Sequence, residues 1–197
     1  MYWIAFFSQT GSEIVELSKV IGRAPDLILT NNKDIKTHHP DMVLLNVPMY
    51  LSDHDGLMKY LRVNYNNPKE VLITLHGYLR IIPPDICERF DIYNGHPGYI
   101  TAYPELKGKD PQVRAWEARH GWVGCVIHKV TAGVDEGPVI DQTGVPNTAN
   151  SLDELYSLLK RKSLYLWEKF MWGKLNENSD KRSSVSRQNN ITERTSI

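Results

Sequence analysis

Residues 71–75 read Val-Leu-Ile-Thr-Leu, a strand-forming run without the polar alternation of a half-solvated strand. Such a run belongs in a sheet whose two faces are both covered. Residues 2–7 repeat the pattern, and two more short strands are expected over residues 25–30 and 42–47. Helical spacing separates them. Ile14, Leu17, Val20 and Ile21 share one helix face after a polar turn at residues 8–12. Residues 57–61 predict a second helix opening near Ser52 or Asp53, and Pro83-Pro84 leads into a third, short one. Residues 91–94 form a brief strand, residues 123–130 a longer one, and residues 138–143 its continuation or hairpin partner. Short strands alternating with helices specify an α/β fold with a doubly wound, mostly parallel sheet covered by helices on both faces.

Two helices are marked by their ends. Asp110-Pro111 places an N-cap candidate before proline at the first helical position, and that helix is expected to reach about His120. Ser151-Leu152-Asp153-Glu154 has the capping-box pattern, after which Leu155, Leu158, Leu159, Leu166 and Phe170 define a long helix ending near Gly173. From Asn176 onward only isolated apolar residues occur. The expected organisation is a catalytic domain over residues 1–175 and a polar, flexible tail over 176–197.

Lys plus Arg and Asp plus Glu both number 23, so bulk attraction to nucleic acid or an anionic membrane is not expected. No stretch approaches the 18 or so apolar residues of a membrane span. Cys87 and Cys125 form neither a disulfide framework nor a metal pattern and are expected as buried free thiols in a reducing cytoplasm. No HExxH or comparable ligand spacing is present, so no metal is assigned.

Four polar segments follow the proposed strands: residues 8–12, 76–79, 94–98 and 131–137. Ligands in such sheets bind at the carboxyl ends of strands, and the four would converge there if their strands run parallel. Asn94-Gly95-His96-Pro97-Gly98 supplies a histidine for proton movement and an amide able to donate to a developing oxyanion. Asp135 is a carboxylate suited to orienting His96; spacing alone leaves open whether they meet, and a capped turn would use the same residues. His76 and His128 adjoin strand ends as supporting residues, whereas His54 and His120 are expected to be exposed. Gly11 and Ser12 can present backbone amides to an anion, while Glu13 would oppose a phosphate and hold an ammonium instead. Leu79, Ile81 and Ile82, with Arg80, can cover a flat heterocycle, or simply pack strand against helix. Lys107 and Lys109 lie in a polar loop able to approach an acceptor.

Taken in order, Asn94-Gly95-His96-Pro97-Gly98 and the segment from Gly124 to Ile140, containing Gly133-Val134-Asp135-Glu136-Gly137-Pro138, resemble the folate-dependent formyltransferase family over roughly residues 1–175. The resemblance implies a formyltransferase-like fold, Asn94, His96 and Asp135 as catalytic residues, and 10-formyltetrahydrofolate as formyl donor. It implies a pterin pocket bordered by Leu79, Arg80, Ile81 and Ile82 and completed around Gly133 and Val134. Gly11 and Ser12 match part of the phosphate loop of members acting on glycinamide ribonucleotide. Glu13 replaces the asparagine usual there, and Arg161 falls near the place of an amine-recognising carboxylate; both argue against that acceptor. Gly108-Lys109-Asp110-Pro111 looks like the loop of members that formylate nucleotide-linked amino sugars. The implied partner is a small or nucleotide-linked primary amine; the alternatives are hydrolysis of the donor and a noncatalytic folate or nucleotide sensor.

Overall fold

The computed structural model describes the backbone of residues 1–192 and the side chains through Asn176, Lys69 excepted. Its centre is formed by β1 (Tyr2–Phe7) and β4 (Val71–Leu75), which pair in parallel and are almost wholly buried. With β2 (Leu27–Thr30), β3 (Met49–Leu51), β5 (Asp91–His96), β6 (Trp122–Lys129) and β7 (Val139–Pro146) they make a seven-stranded sheet of order β3-β2-β1-β4-β5-β6-β7. The first five strands run parallel; β6 and β7 form an antiparallel hairpin against β5.

Period-two alternation divides the core. Trp3, Ala5 and Phe7 face α1 (Ser12–Ile21) and α5 (Leu152–Thr192), whereas Ile4 and Phe6 join the cluster built on α2 (His54–Asn64) and α3 (Pro84–Arg89). Trp3, fully buried, still satisfies its indole N–H by donating to Thr74 Oγ1 at 2.8 Å. The strand order reverses between β1 and β4, and the loops leaving them are tied together: Ser8 N–H donates to Gly77 O at 3.2 Å and Leu79 N–H to Ser8 Oγ at 2.9 Å. This crevice is where a doubly wound sheet receives ligands.

Several local expectations are corrected. Residues 42–47 are not a strand. His39 caps a 3-10 helix, Pro40–Leu45, whose first position holds a proline, and Val43 and Leu44 point outward; the sheet edge is instead β3. α5 does not stop at Gly173 but continues to Thr192, because the following Lys, Glu, Arg and Gln favour helix and no proline intervenes. The expected flexibility of the segment after 175 lies partly outside the described residues. Asp110 adopts a left-handed conformation and makes no side-chain cap, leaving Pro111 to open α4 (Pro111–Glu117). The capping box is half formed: Glu154 N–H donates to Ser151 Oγ at 3.2 Å, while its carboxylate reaches Asn150 N at 2.7 Å. Asp53 caps α2, as expected, and Cys87 and Cys125 are buried free thiols.

Gly95 sets the closeness of β5 and α5. A Cβ there would lie 2.5 Å from Trp167 Nε1 and 3.0 Å from its Cε2. Gly95→Ala is therefore expected to destabilise the fold by about 1–3 kcal/mol, because a fully buried indole has no free space to retreat into. Urea unfolding monitored by circular dichroism would measure it; an unchanged midpoint would contradict the packing.

Candidate functional site

The β5–β6 register assembles the site. Asn94 and His96 are two residues apart and share a face, and Asn94 pairs directly with His128 across the strands. Because β6 is antiparallel, the 131–137 segment leaves it level with Ile92, to which Val130 N–H donates at 2.9 Å. The expectation of four loops on parallel strands fails here. The segment instead folds back over the sheet, and Asp135, with φ of 51°, points its carboxylate at β5. Left-handed backbone is tolerated by aspartate more readily than by most residues, and it often marks a functional turn.

Asp135 then meets both imidazoles. Its Oδ2 lies 3.2 Å from His96 Nδ1 and accepts from Gly108 N–H at 2.8 Å; its Oδ1 lies 3.2 Å from His128 Nε2. Asn94 Nδ2 lies 3.1 Å from His128 Nε2 and donates to Asp135 Oδ1 at 3.5 Å. His128 Nδ1 lies 3.0 Å from Lys129 O, and a carbonyl only accepts, so that nitrogen carries hydrogen. His96 Nε2 similarly donates to Leu106 O at 2.9 Å. Burial raises the Asp135 carboxyl, but the His128 hydrogen bond, the His96 charge and the Gly108 amide outweigh it and hold the group below its usual range. His96 goes the other way: burial pulls its pKa down by more than Asp135 and the Leu106 carbonyl raise it. The result is an ionised carboxylate and a carbonyl facing the two nitrogens of one buried imidazole, with burial opposing the charge that these acceptors favour.

The remaining predicted residues divide between two faces of β5. Leu79 and Ile81 expose 64% and 63% of their surface in the loop after β4, and Arg80 is exposed between them. Ile82 turns into the α2–α3 core and supports this segment from beneath. Val134 is exposed and Gly133 half-buried in the turn that delivers Asp135. On the opposite side, a cavity of about 420 Å³ is lined by Gly11, Ser12, Glu13, His76, Gly95 and Ser163, among others. Lys107 and Lys109 do not join either surface through their side chains: both are exposed, and their loop reaches the site through the Gly108 backbone. His120, expected to be exposed, is stacked on Tyr103 with centroids 3.8 Å apart. Among the described residues no group of three or more His, Cys, Asp or Glu side chains is arranged to hold a metal ion. Nor is any described helix long and apolar enough to cross a membrane.

The sequence model of the family described as Formyl transferase matches residues 31–163. The chain belongs to the formyl transferase family. Within the family, a formyltetrahydrofolate deformylase of Synechocystis is 38% identical over 72 residues, covering 36% of this chain and 24% of the relative. A phosphoribosylglycinamide formyltransferase of Haemophilus influenzae is 32% identical over 103 residues, covering 44% of this chain and 47% of the relative. The matched segments thus span less than half the length of these curated relatives. The crystal structure of phosphoribosylglycinamide formyltransferase from Streptococcus pneumoniae shares the fold, with a TM-score of 0.74 at 24% identity over 89% of this chain and 99% of that one.

Sequence reasoning missed three contributors to this candidate site: the Gly108 amide, the Leu106 carbonyl and Gly98. For two of them, Gly108 and Gly98, the available signal was the glycine itself. Gly108 has φ of 83°, and a Cβ on Gly98 would sit 2.6 Å from His96 Nε2.

The His96–Asp135 geometry fixes a pH response. The folded state disfavours charged His96, so its contribution to stability declines as pH falls below the ordinary histidine range; the Asp135 contribution persists above the carboxylate range and is lost only as pH falls through its lowered value. In an NMR titration, His96 is expected to titrate below the value of about 6.5 typical of an exposed histidine. Asp135→Asn should lower it further, since the neighbouring negative charge is what raises it. An upward move in that variant would contradict the assignment.

Proposed function

We propose that the chain transfers a formyl group from 10-formyltetrahydrofolate to a small or nucleotide-linked primary amine, in a reducing cytoplasm, with residues 1–175 as the catalytic unit. The observation that carries this reading is the contact of one ionised carboxylate, Asp135, with His96 while Asn94 stands beside them. The donor supplies an activated formyl carbon. Exposed Leu79 and Ile81, with Arg80 and the backbone between them, suit a flat heterocycle on the same face of β5 as Asn94 and His96. Gly133 and Val134 would close that pocket.

In the proposed step the neutral amine attacks the formyl carbon, forming a carbon–nitrogen bond as the carbonyl electron pair moves onto oxygen. Asn94 N–H and His96 Nε2–H donate to that oxygen, His96 turning its hydrogen away from Leu106 O. As the oxyanion develops His96 carries hydrogen on both nitrogens, Asp135 accepting from Nδ1–H and supporting the charge, and the amine proton passes through water to the folate nitrogen. Collapse breaks the bond to the folate nitrogen, which receives the proton, releasing the N-formyl amine and tetrahydrofolate. Hydrolysis is the competing outcome, with water in place of the amine, and one relative carries the name deformylase. The cavity of about 420 Å³ behind Gly95 favours transfer, because water needs no such space.

A product-resolved assay with 10-formyltetrahydrofolate and a panel of amines tests the reading. An N-formyl product should form, and folded His96→Ala should lose about 10²–10⁴-fold in rate. Near-normal turnover by His96→Ala rejects the mechanism; formate as the sole product assigns hydrolysis.

A further inference from the structure

The cavity behind Gly95 is bounded by a hydrogen-bonded relay that the chemistry above does not use. Trp3 Nε1–H donates to Thr74 Oγ1 at 2.8 Å, and Thr74 Oγ1 lies 2.9 Å from His76 Nε2. His76 Nδ1 lies 2.8 Å from Glu13 Oε2, and Ser163 Oγ–H donates to Glu13 Oε1 at 2.5 Å. One proton assignment satisfies every member. The indole N–H fills one acceptor of the threonine, the threonine hydroxyl donates to Nε2, and Nδ1–H donates to the carboxylate. Glu13 is then anionic and His76 neutral. Burial raises the Glu13 carboxyl, but His76, Ser163 and the nearby Trp167 indole together hold it below its ordinary value.

Three donors, His76, Ser163 and the Trp167 indole, face the Glu13 carboxylate, whose two oxygens offer about four lone-pair sites, so one stays uncommitted. The side chain remains 23% exposed, whereas His76 is fully covered. The uncommitted face therefore belongs to Glu13, a lining residue of the cavity. The cationic side chain among the lining residues, Lys160, is already paired with Glu16 at 2.6 Å. Gln9, Thr10, Gln112, Tyr156 and Ser157 complete a wall of neutral hydroxyl and amide groups. A phosphate monoester here would bring its charges against Glu13 in a partly desolvated space, where repulsion is several times stronger than in water. An ammonium or a set of hydroxyl donors finds acceptors instead.

We infer that Glu13, positioned by His76 and Ser163, is a specificity-determining residue that admits a cationic, hydroxylated primary amine to this cavity and excludes a phosphate monoester from it. The inference rests on the formyl-transfer reading for its biological meaning, since Gly95 and Pro97 of the cavity wall flank His96. Any phosphate on the acceptor lies outside the cavity.

Calorimetric titration of the full chain with glucosamine and with glucosamine 6-phosphate tests this, the two probes differing only in the phosphate. Glucosamine should bind at least about tenfold more tightly, and Glu13→Gln should remove most of that preference. Equal binding of the two probes, tighter binding of the phosphate, or binding of neither overturns the inference. So does a folded Glu13→Gln protein that keeps the preference. Should Glu13→Gln fail to fold, the wild-type comparison still decides. Tetrahydrofolate titrated into the same protein separates the two readings. Absent folate binding with the probe preference intact defeats the donor assignment alone; folate binding without the preference defeats the subsite alone.

Discussion

A carboxylate at a left-handed turn holds the site together. Asp135 is reached by a backbone amide from the 107–109 loop, an imidazole from β5 and another from β6, so three segments are tied to its turn by two oxygen atoms. Buried carboxylates are costly unless fully bonded, and here the bonding is what makes the ionised form the stable one. The same charge raises the His96 pKa against the downward pull of burial. Without it the imidazole would remain a neutral donor with no means of accommodating positive charge.

The sheet exists to deliver these groups. Parallel β1, β4 and β5 supply the carboxyl edge, but β5 extends past β4, whose last residue, Leu75, pairs with Asn94. The two residues beyond that pairing, Gly95 and His96, have their strand partner in β6, through Ile127 and Val126. The antiparallel hairpin is thus what protects the end of β5 and lets its side chains be both ordered and close to the crevice.

Most of the framework could be read from sequence because it depends on local period. Residues 2–7 and 71–75 are apolar on both faces, and only a covered parallel strand accepts that. The group of Asn94, His96 and Asp135 was readable as motif, not as geometry: nothing in the order of residues states that the 131–137 segment folds back from an antiparallel strand. Residues 42–47 misled because an apolar run resembles a strand until Pro40 and the His39 cap commit it to a 3-10 helix. The end of α5 misled because glycine weakens a helix without terminating it. Gly108 and Leu106 act through backbone atoms, which side-chain identity does not encode. The Glu13–His76 pair joins residues 63 positions apart, and only the adjacency of β1 and β4 brings their loops together.

Gly95 has a consequence for how such an enzyme diversifies. With Asn94 and His96 on one face and the cavity on the other, β5 is a thin partition, and a residue without a side chain stands between that pair and the cavity. On the proposed reading the donor side draws on the 79–82 segment and the acceptor side on α1 and α5. Substitutions lining the cavity can then change its charge and shape while Asn94 and His96 keep their places. New substrates become reachable without reinventing the chemistry.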